Sequence, residues 1–374
     1  MRVAVVHDWL TESGGAEKVT RELVDLFDAD VFALVDFLSP DDRAELLHGK
    51  RATTSFIQRL PFARRKFRWY LPLFPWAIER LDLRGYDLII SSSYAVAKGV
   101  RKHPGQKHAC YIHTPMRYAW VDEERYLRDH GVRSWKARTL KSVLGRLRKW
   151  DRANSAHVDR FIANSRNVAE RVQRIYGRDA DVVLPPIDPD AFTLHTGERS
   201  GYLTVSRLVP YKRIDRIIDA FRDLPALTLT VVGDGPDAER LRSLAGPNVR
   251  FTGHLPQADL VERMQRSSAL ICAANEDLGL TVIEAQACGT PVITLRAGGY
   301  LETVDEANGS SFFNTDEPGA IREAILRHAE AEQRQAPRTT DLSAERLRIS
   351  MTPFFLDRFR ARIEAIILET MGHG

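Results

Sequence analysis

Two hydrophobic periods alternate along this chain. Short apolar, mostly β-branched runs at Val3–Val6, Asp87–Ser91, Ala109–Ile112 and Phe161–Asn164 read as strands in the first half. Tyr202–Val205, Leu227–Val232, Val249–Phe251, Ala269–Cys272 and Pro291–Thr294 continue the series in the second. Between them lie stretches with helical spacing: Ala16 to about Phe27, a segment ending near Ile175, then 213–222, 237–245, 258–266 and 280–288. Apolar strands separated by amphipathic helices predict parallel sheets covered on both faces. Two such α/β units in series suit 374 residues. The proline cluster Leu184-Pro185-Pro186-Ile187-Asp188-Pro189 is the expected linker. Near the end, Phe355, Phe359, Ile363, Ile366 and Ile367 fall close to helical spacing within Pro353–Thr370. That helix either caps its own unit or crosses back to the first.

Charge alters the picture. The whole chain carries a net +4, yet residues 1–190 hold 33 basic against 25 acidic side chains, and 191–374 hold 21 against 25. Within 43–152 the count is 25 basic to 9 acidic. So local an excess points to a polyanion or an anionic membrane more than to a merely solvated surface. With 44% hydrophobic and 28% charged residues, disorder, collagen and coiled coil are excluded. Val3–Val6 is too short for a signal-peptide core, and no run approaches the ~20 apolar residues of a membrane span. Cys110, Cys272 and Cys288 lack metal-ligand spacing and read as reduced core residues of a cytosolic protein.

Four constellations carry chemistry. Glu276-Asp277-Leu278-Gly279-Leu280-Thr281-Val282-Ile283-Glu284 reads as strand end, glycine loop and helix start. Free N–H groups near Gly279 and Leu280 suit a phosphate or a sugar hydroxyl, and the two glutamates can accept from separate hydroxyl-bearing parts of one ligand. Taken alone, either glutamate is more often a cap or a solvated charge than a ligand contact. Ser206-Arg207-Leu208-Val209-Pro210-Tyr211-Lys212 places two cations where open parallel sheets bind ligands, a pairing suited to pyrophosphate. Gly14 and Gly15, between a strand and a helix, allow close approach to a phosphate; Gly233-Asp234-Gly235-Pro236 is either a tight turn or a ligand contact. His113, at a strand end, faces the same kind of crevice or is a satisfied structural histidine. No dinucleotide fingerprint is present, which disfavours an NAD-dependent oxidoreductase.

Taken together and in order, these motifs resemble family 4 glycosyltransferases, from residue 1 to about 330 and most strongly over 201–300. The segments around His7–Val19 and His113–Tyr118 look most like the bacterial O-antigen and exopolysaccharide mannosyltransferases. The resemblance implies a GT-B fold: two Rossmann-like α/β domains facing across a cleft, 1–186 for the acceptor and 187–352 for the donor, with helix 353–370 returning to the first. It assigns Arg207 and Lys212 to the donor diphosphate and Glu284 to the ribose. Glu276 with the amides of Gly279 and Leu280 takes the sugar, with Gly14, Gly15 and Gly233 as further donor contacts and His113 near the reacting centre. His113, Glu276, Arg207 and Lys212 are thereby the catalytic set.

It further implies a retaining, metal-independent transfer of a hexose, with GDP-mannose preferred as co-substrate and no cofactor. Asp179-Ala180-Asp181 lies between a helix and a strand rather than in a metal-binding context. With no evident nucleophile, a front-face displacement assisted by the leaving phosphate is favoured. The expected acceptor is a lipid-linked saccharide or polysaccharide precursor. The basic block, with Arg64, Arg65, Lys66, Phe67, Arg68, Trp69, Tyr70, Phe74 and Trp76, and with Lys136, Arg138, Lys141, Arg146, Arg148, Lys149 and Arg152, would then face an anionic membrane from the cytoplasmic side. Nucleic acid is not expected as a partner. The rival readings are the same fold with a UDP-sugar donor, or a non-catalytic nucleotide-sugar-binding protein.

Overall fold

A computed structural model describes residues 1–121, 135–334 and 342–372, with the side chains of 135–139 and 342 outside that description. The chain forms two compact units, Met1–Pro185 with Phe359–Gly374, and Pro186–Arg358.

The first unit is built on seven parallel strands: β1 (Val3–His7), β2 (Asp30–Ala33), β3 (Thr53–Thr54), β4 (Leu88–Ser93), β5 (Lys107–Ile112), β6 (Arg160–Ala163) and β7 (Asp181–Val182). They lie in the order β3-β2-β1-β4-β5-β6-β7. The first strand shows why its sequence is uniformly apolar. Val3 and Val5 enter one core with Leu23, Leu88 and Ile90, while Ala4 and Val6 enter the other with Phe32, Ile89 and Leu144.

β4 runs on to Ser93, past the expected end at Ser91. All three serines sit in the ladder opposite Cys110, Tyr111 and Ile112, so their polarity marks an end of the sheet and not an end of pairing. β2 and β3 were not anticipated, and β7 was expected only as a strand following Asp181, whereas Asp181 itself begins it. The two edge strands are only two residues long and too short to carry a period.

The second unit has six parallel strands: β8 (Tyr202–Val205), β9 (Leu229–Val232), β10 (Val249–Gly253), β11 (Ala269–Cys272), β12 (Val292–Leu295) and β13 (Ser311–Phe313), in the order β10-β9-β8-β11-β12-β13. The Leu227 amide donates to the Leu224 carbonyl and closes a turn, so β9 begins at Leu229 rather than at Leu227. β13 and the Pro318–Arg334 helix also escaped the sequence reading.

Phe359, Ile363, Ile366 and Ile367 form one stripe of the last helix, Leu356–Met371, and are buried in the first unit's core. Each contributes about 2 kcal/mol of burial, which holds the returning helix in place. Phe355 is not on that stripe; it precedes the helix, beside the Arg348 guanidinium.

The basic segments divide into two kinds. Phe67 and Phe74 are buried against Trp9, contrary to the expectation of a surface ring at each. Phe62, Trp69 and Trp76 are exposed among Arg64, Arg65, Lys66, Arg68 and Arg80. On the Trp135–Ser155 helix, Arg148 and Arg152 donate to the carbonyls of Ala119 and Ile175. These two cations are bonded within the fold, although Arg152 stays exposed, as do Lys141, Arg146 and Lys149. The side chains of Lys136 and Arg138 lie outside the described residues. Buried Lys98 and Asp151, 2.6 Å apart, tie this helix down, with Trp120 and Tyr176 donating to the same carboxylate. Among the described residues no helix is long and apolar enough to cross a membrane.

Candidate active site

In both sheets the chain order reverses next to the unit's first strand, between β1 and β4 and between β8 and β11. The strand ends beside such a reversal leave a crevice in which open α/β sheets bind ligands. Every donor-site and catalytic residue expected from the sequence lies on an element leaving one of these strands or an immediate neighbour.

In the first unit the floor of this region is a network of buried polar groups. His7 ends β1; its Nε2 is 3.2 Å from Glu17 Oε1, and its Nδ1 is 2.9 Å from Thr20 Oγ1 and 3.1 Å from Ser92 Oγ. Ser92 Oγ is in turn 2.8 Å from Nε2 of His113. Tyr94 donates to Glu17 Oε1 at 3.3 Å, and its ring lies edge-on to His113. Burial, with His7 adding, pushes the His113 pKa down to about 3, so this imidazole is neutral at physiological pH. Asp8 accepts four backbone N–H groups, from Tyr94, Ala95, Val96 and Ala97, at 2.6 to 2.9 Å. Those bonds fix the loop leaving β4 and with it Tyr94.

Gly14 and Gly15 open the Gly15–Phe27 helix, whose N-terminus has no side-chain cap. A Cβ at Gly14 would run into the Glu17 carboxylate, so this glycine also makes room for a side chain of the chain itself. The sequence reading assigned Gly14, Gly15 and His113 but gave no role to His7, Asp8, Glu17, Thr20, Ser92 or Tyr94. One signal was available: His7 and Asp8 follow four apolar residues, the same pattern of a polar strand end that drew attention to His113.

The second unit is organised around charge. Lys212 ends a single 3₁₀ turn, Pro210–Lys212, and its ammonium contacts the Glu276 carboxylate from the loop after β11. The Lys212 side chain is 22% exposed and that of Glu276 17%, so the pair is sheltered but reachable. Burial alone would lower the Lys212 pKa; the adjacent carboxylate outweighs it and the pKa is raised, keeping the ammonium charged. Arg207 is exposed on the loop leaving β8.

That loop is braced by the Gly233–Pro236 turn, because Leu208 N–H donates to the Asp234 carbonyl and Asp237 N–H donates back to the Leu208 carbonyl. Gly233, at φ 126°, leaves no room for a Cβ beside the Ser206 carbonyl. Its glycine identity is thus accounted for by packing within the chain.

Gly279 caps the Leu280–Ala287 helix at φ 86°, with no side-chain cap to occupy the first amides. A Cβ there would strike the buried Tyr300 ring. Gly299 N–H donates to the Glu276 carbonyl at 2.9 Å, which holds the loop in register. Glu284 is half-buried one turn into the helix. Burial pushes the thiols of Cys110, Cys272 and Cys288 each up to about 12, leaving them poor nucleophiles at neutral pH.

The structure thus brings Lys212 and Glu276 into contact and places Arg207, Gly279, Leu280 and Glu284 on the elements leaving β8 and β11. In the first unit it ties His113 to groups that the sequence reading left unassigned.

Comparison with known proteins agrees with this layout. Residues 13–191 match the model of Glycosyltransferase Family 4, and residues 191–340 match that of Glycosyl transferases group 1. Among curated proteins, the GDP-mannose-dependent alpha-(1-6)-phosphatidylinositol monomannoside mannosyltransferase of Mycolicibacterium smegmatis is 31% identical over 203 residues, 46% of this chain and 53% of that protein. D-inositol 3-phosphate glycosyltransferase 2 of Catenulispora acidiphila is 29% identical over 217 residues, 48% of this chain and 49% of its own. The matched stretches therefore span about half the length of these relatives.

Among solved structures, Anabaena HepE in complex with UDP and glucose superposes with a TM-score of 0.72 at 18% identity, covering 97% of this chain and 98% of that one. Sucrose-phosphate synthase from Thermosynechococcus elongatus gives 0.77 at 17% identity, with both chains fully covered. At such identities the likeness concerns the fold, that of the GT-B glycosyltransferases. With a family 4 domain followed by a group 1 domain, each on its own parallel α/β sheet, the chain belongs to the glycosyltransferases.

Proposed function

We propose that this chain is a retaining, metal-independent hexosyltransferase that moves mannose from GDP-mannose onto a lipid-linked saccharide or polysaccharide precursor. The observation that carries the reading is the Lys212–Glu276 pair beside the uncapped Leu280–Ala287 helix, with Arg207 on the neighbouring loop. Two cations and free amides suit a diphosphate, and a held carboxylate suits sugar hydroxyls. Arg207 and Lys212 offset the charge that gathers on the departing diphosphate, which is where stabilisation is worth most. Glu284 takes the ribose and Glu276, with the Gly279 and Leu280 amides, orients the sugar. His113 contacts a sugar hydroxyl as a neutral ring. With no group placed as a nucleophile among the described residues, the acceptor attacks on the face the diphosphate leaves, and the diphosphate takes the acceptor proton.

GDP-mannose is preferred because the M. smegmatis relative is named for it. The acceptor is inferred to be lipid-linked because Phe62, Trp69 and Trp76 stand exposed within a cluster of arginines and lysines, a composition that binds anionic bilayers from the cytoplasmic side. The test is release of GDP from GDP-mannose, without added metal, in the presence of lipid-diphosphate-linked acceptors. Transfer that runs only with UDP-sugars would reassign the donor. Tight donor binding with neither transfer nor hydrolysis would make the chain a nucleotide-sugar-binding protein instead.

A further inference from the structure

Ser92 touches both His113 and the His7–Thr20 pair, so the direction of its single proton determines what His113 can offer a ligand. Three oxygen contacts constrain that proton. Thr20 Oγ1 is 2.9 Å from the Ala16 carbonyl oxygen, 2.9 Å from His7 Nδ1 and 2.8 Å from Ser92 Oγ. Two oxygens at such separations need a proton between them.

The Ala16 carbonyl has none to give. If Thr20 donates to Ala16 or to His7, the contact between the two hydroxyls is filled by the Ser92 proton. If Ser92 instead donates to His7 Nδ1, at 3.1 Å, its proton again points away from His113. Only a Thr20 proton turned onto Ser92 would free Ser92 to donate to His113, and that leaves the Ala16 carbonyl facing a bare oxygen. The 2.8 Å contact between Ser92 and His113 Nε2 is therefore made by an N–H on the ring.

We infer that Ser92, oriented by Thr20 and His7, fixes His113 as the Nε2–H tautomer, so that its Nδ1 is an acceptor for a ligand hydroxyl. The neutral state imposed by burial means that one ring nitrogen carries the only proton. His113 Nδ1 has no hydrogen-bond partner among the described residues. Glu17 completes the arrangement from the far side, accepting from His7 Nε2 and from Tyr94. Ser92, Thr20, His7 and Glu17 are positioning residues: they reach the ligand only through His113. The ligand's identity as a sugar rests on the proposed function; the tautomer does not.

The test is nitrogen NMR on the full-length protein with ¹⁵N-labelled histidine, the His113 signals being those lost in His113→Asn. A pyrrole-type Nε2 and a pyridine-type Nδ1 at pH 7 are expected; the reverse assignment overturns the inference. Ser92→Ala should give a mixed tautomer signal and about tenfold lower turnover, the worth of one neutral hydrogen bond. Ser92→Thr, which keeps the hydroxyl, should restore both, and unchanged GDP binding in each variant checks the fold. An Nε2–H ring in a protein that binds no nucleotide sugar would uphold the tautomer and refute the glycosyltransfer reading. A wild-type tautomer in Ser92→Ala would remove Ser92 from the account.

Discussion

The two units share a strand order around their first strand and place their candidate chemistry at the same reversal, yet they equip it differently. In the first, His7, Glu17, Thr20, Ser92 and His113 are buried and bonded to one another, and Asp8 binds four amides beneath them. In the second, Arg207, Lys212, Glu276 and Glu284 are charged and at least partly accessible, and the glycines beside them pack too closely against the chain to carry a Cβ. A buried network bonded to itself can orient a hydroxyl but does little for a diphosphate. Accessible cations and free helix amides do the opposite. Under the proposed function, the same topology is divided between orienting a reacting group and binding a charged leaving group.

The sharpest way to break this comparison is to remove charge from the second unit. Lys212→Ala or Glu276→Ala should lower kcat for transfer by about 10²–10³-fold, the usual cost of losing a transition-state contact. Unchanged transfer in either variant, measured by GDP release, would remove the second unit's site from the account.

Gly279→Ala is next. Its φ of 86° and the Tyr300 ring should make even one methyl group cost about 1–3 kcal/mol, read as a lower Tm and weaker GDP binding together. A variant that loses stability but binds GDP normally would separate the cap from the ligand.

Acid should act on buried histidines of both units. His108 and His113 have pKa values pushed by burial to about 3, and His328 of the second unit is lowered to about 4. Below the ordinary histidine pKa of 6.5 the unfolded chain takes up protons that the folded chain refuses until pH approaches those values. Stability should therefore fall as pH drops from about 6.5, by at most about 1.4 kcal/mol per pH unit for each histidine. His108→Asn and His328→Asn should each flatten the fall of Tm between pH 6.5 and 4.5, and by similar amounts, because neither folded imidazole takes up much proton in that window. An unchanged slope in either variant would remove that histidine from the acid response.

The smallest single effects belong to the exposed patch. Arg64→Ser, Arg65→Ser and Arg68→Ser should each weaken co-sedimentation with anionic vesicles by about 1 kcal/mol, and less in high salt. No change, singly or combined, would leave the patch without a membrane role.

How much of this was legible follows from the length and chemistry of each element. β8 carries three apolar residues around Thr204 and β11 four; both were delimited correctly from the sequence, as was the Leu280–Ala287 helix to within one residue. β3 has two residues and no legible pattern, β7 is as short and could be placed only by the linker beside it, and β4 ends in three serines, so its apolar pattern stops before its pairing does. The charged residues of the second unit were found because cations and carboxylates beside glycines are rare enough to attract notice. The first unit's network was read only at His113. Its other members are common polar residues, and their meaning comes from contacts such as His7 with Ser92, 85 positions apart, that no local pattern encodes. Phe67 and Phe74 illustrate the opposite error: in a basic, aromatic segment, core rings and surface rings look alike until the backbone orients them.

The central claim is that the second unit binds a nucleotide sugar through Arg207, Lys212 and Glu276. A thermal-shift panel of GDP-mannose, UDP-glucose and UDP-galactose tests it most directly, because a ligand at 100 times its Kd stabilises the folded state by about 2.7 kcal/mol. The account predicts that GDP-mannose raises the Tm of the full chain and that Lys212→Ala abolishes the rise. A UDP-sugar acting in its place would change only the donor. No shift with any of the three, or an undiminished shift in Lys212→Ala, would contradict the claim.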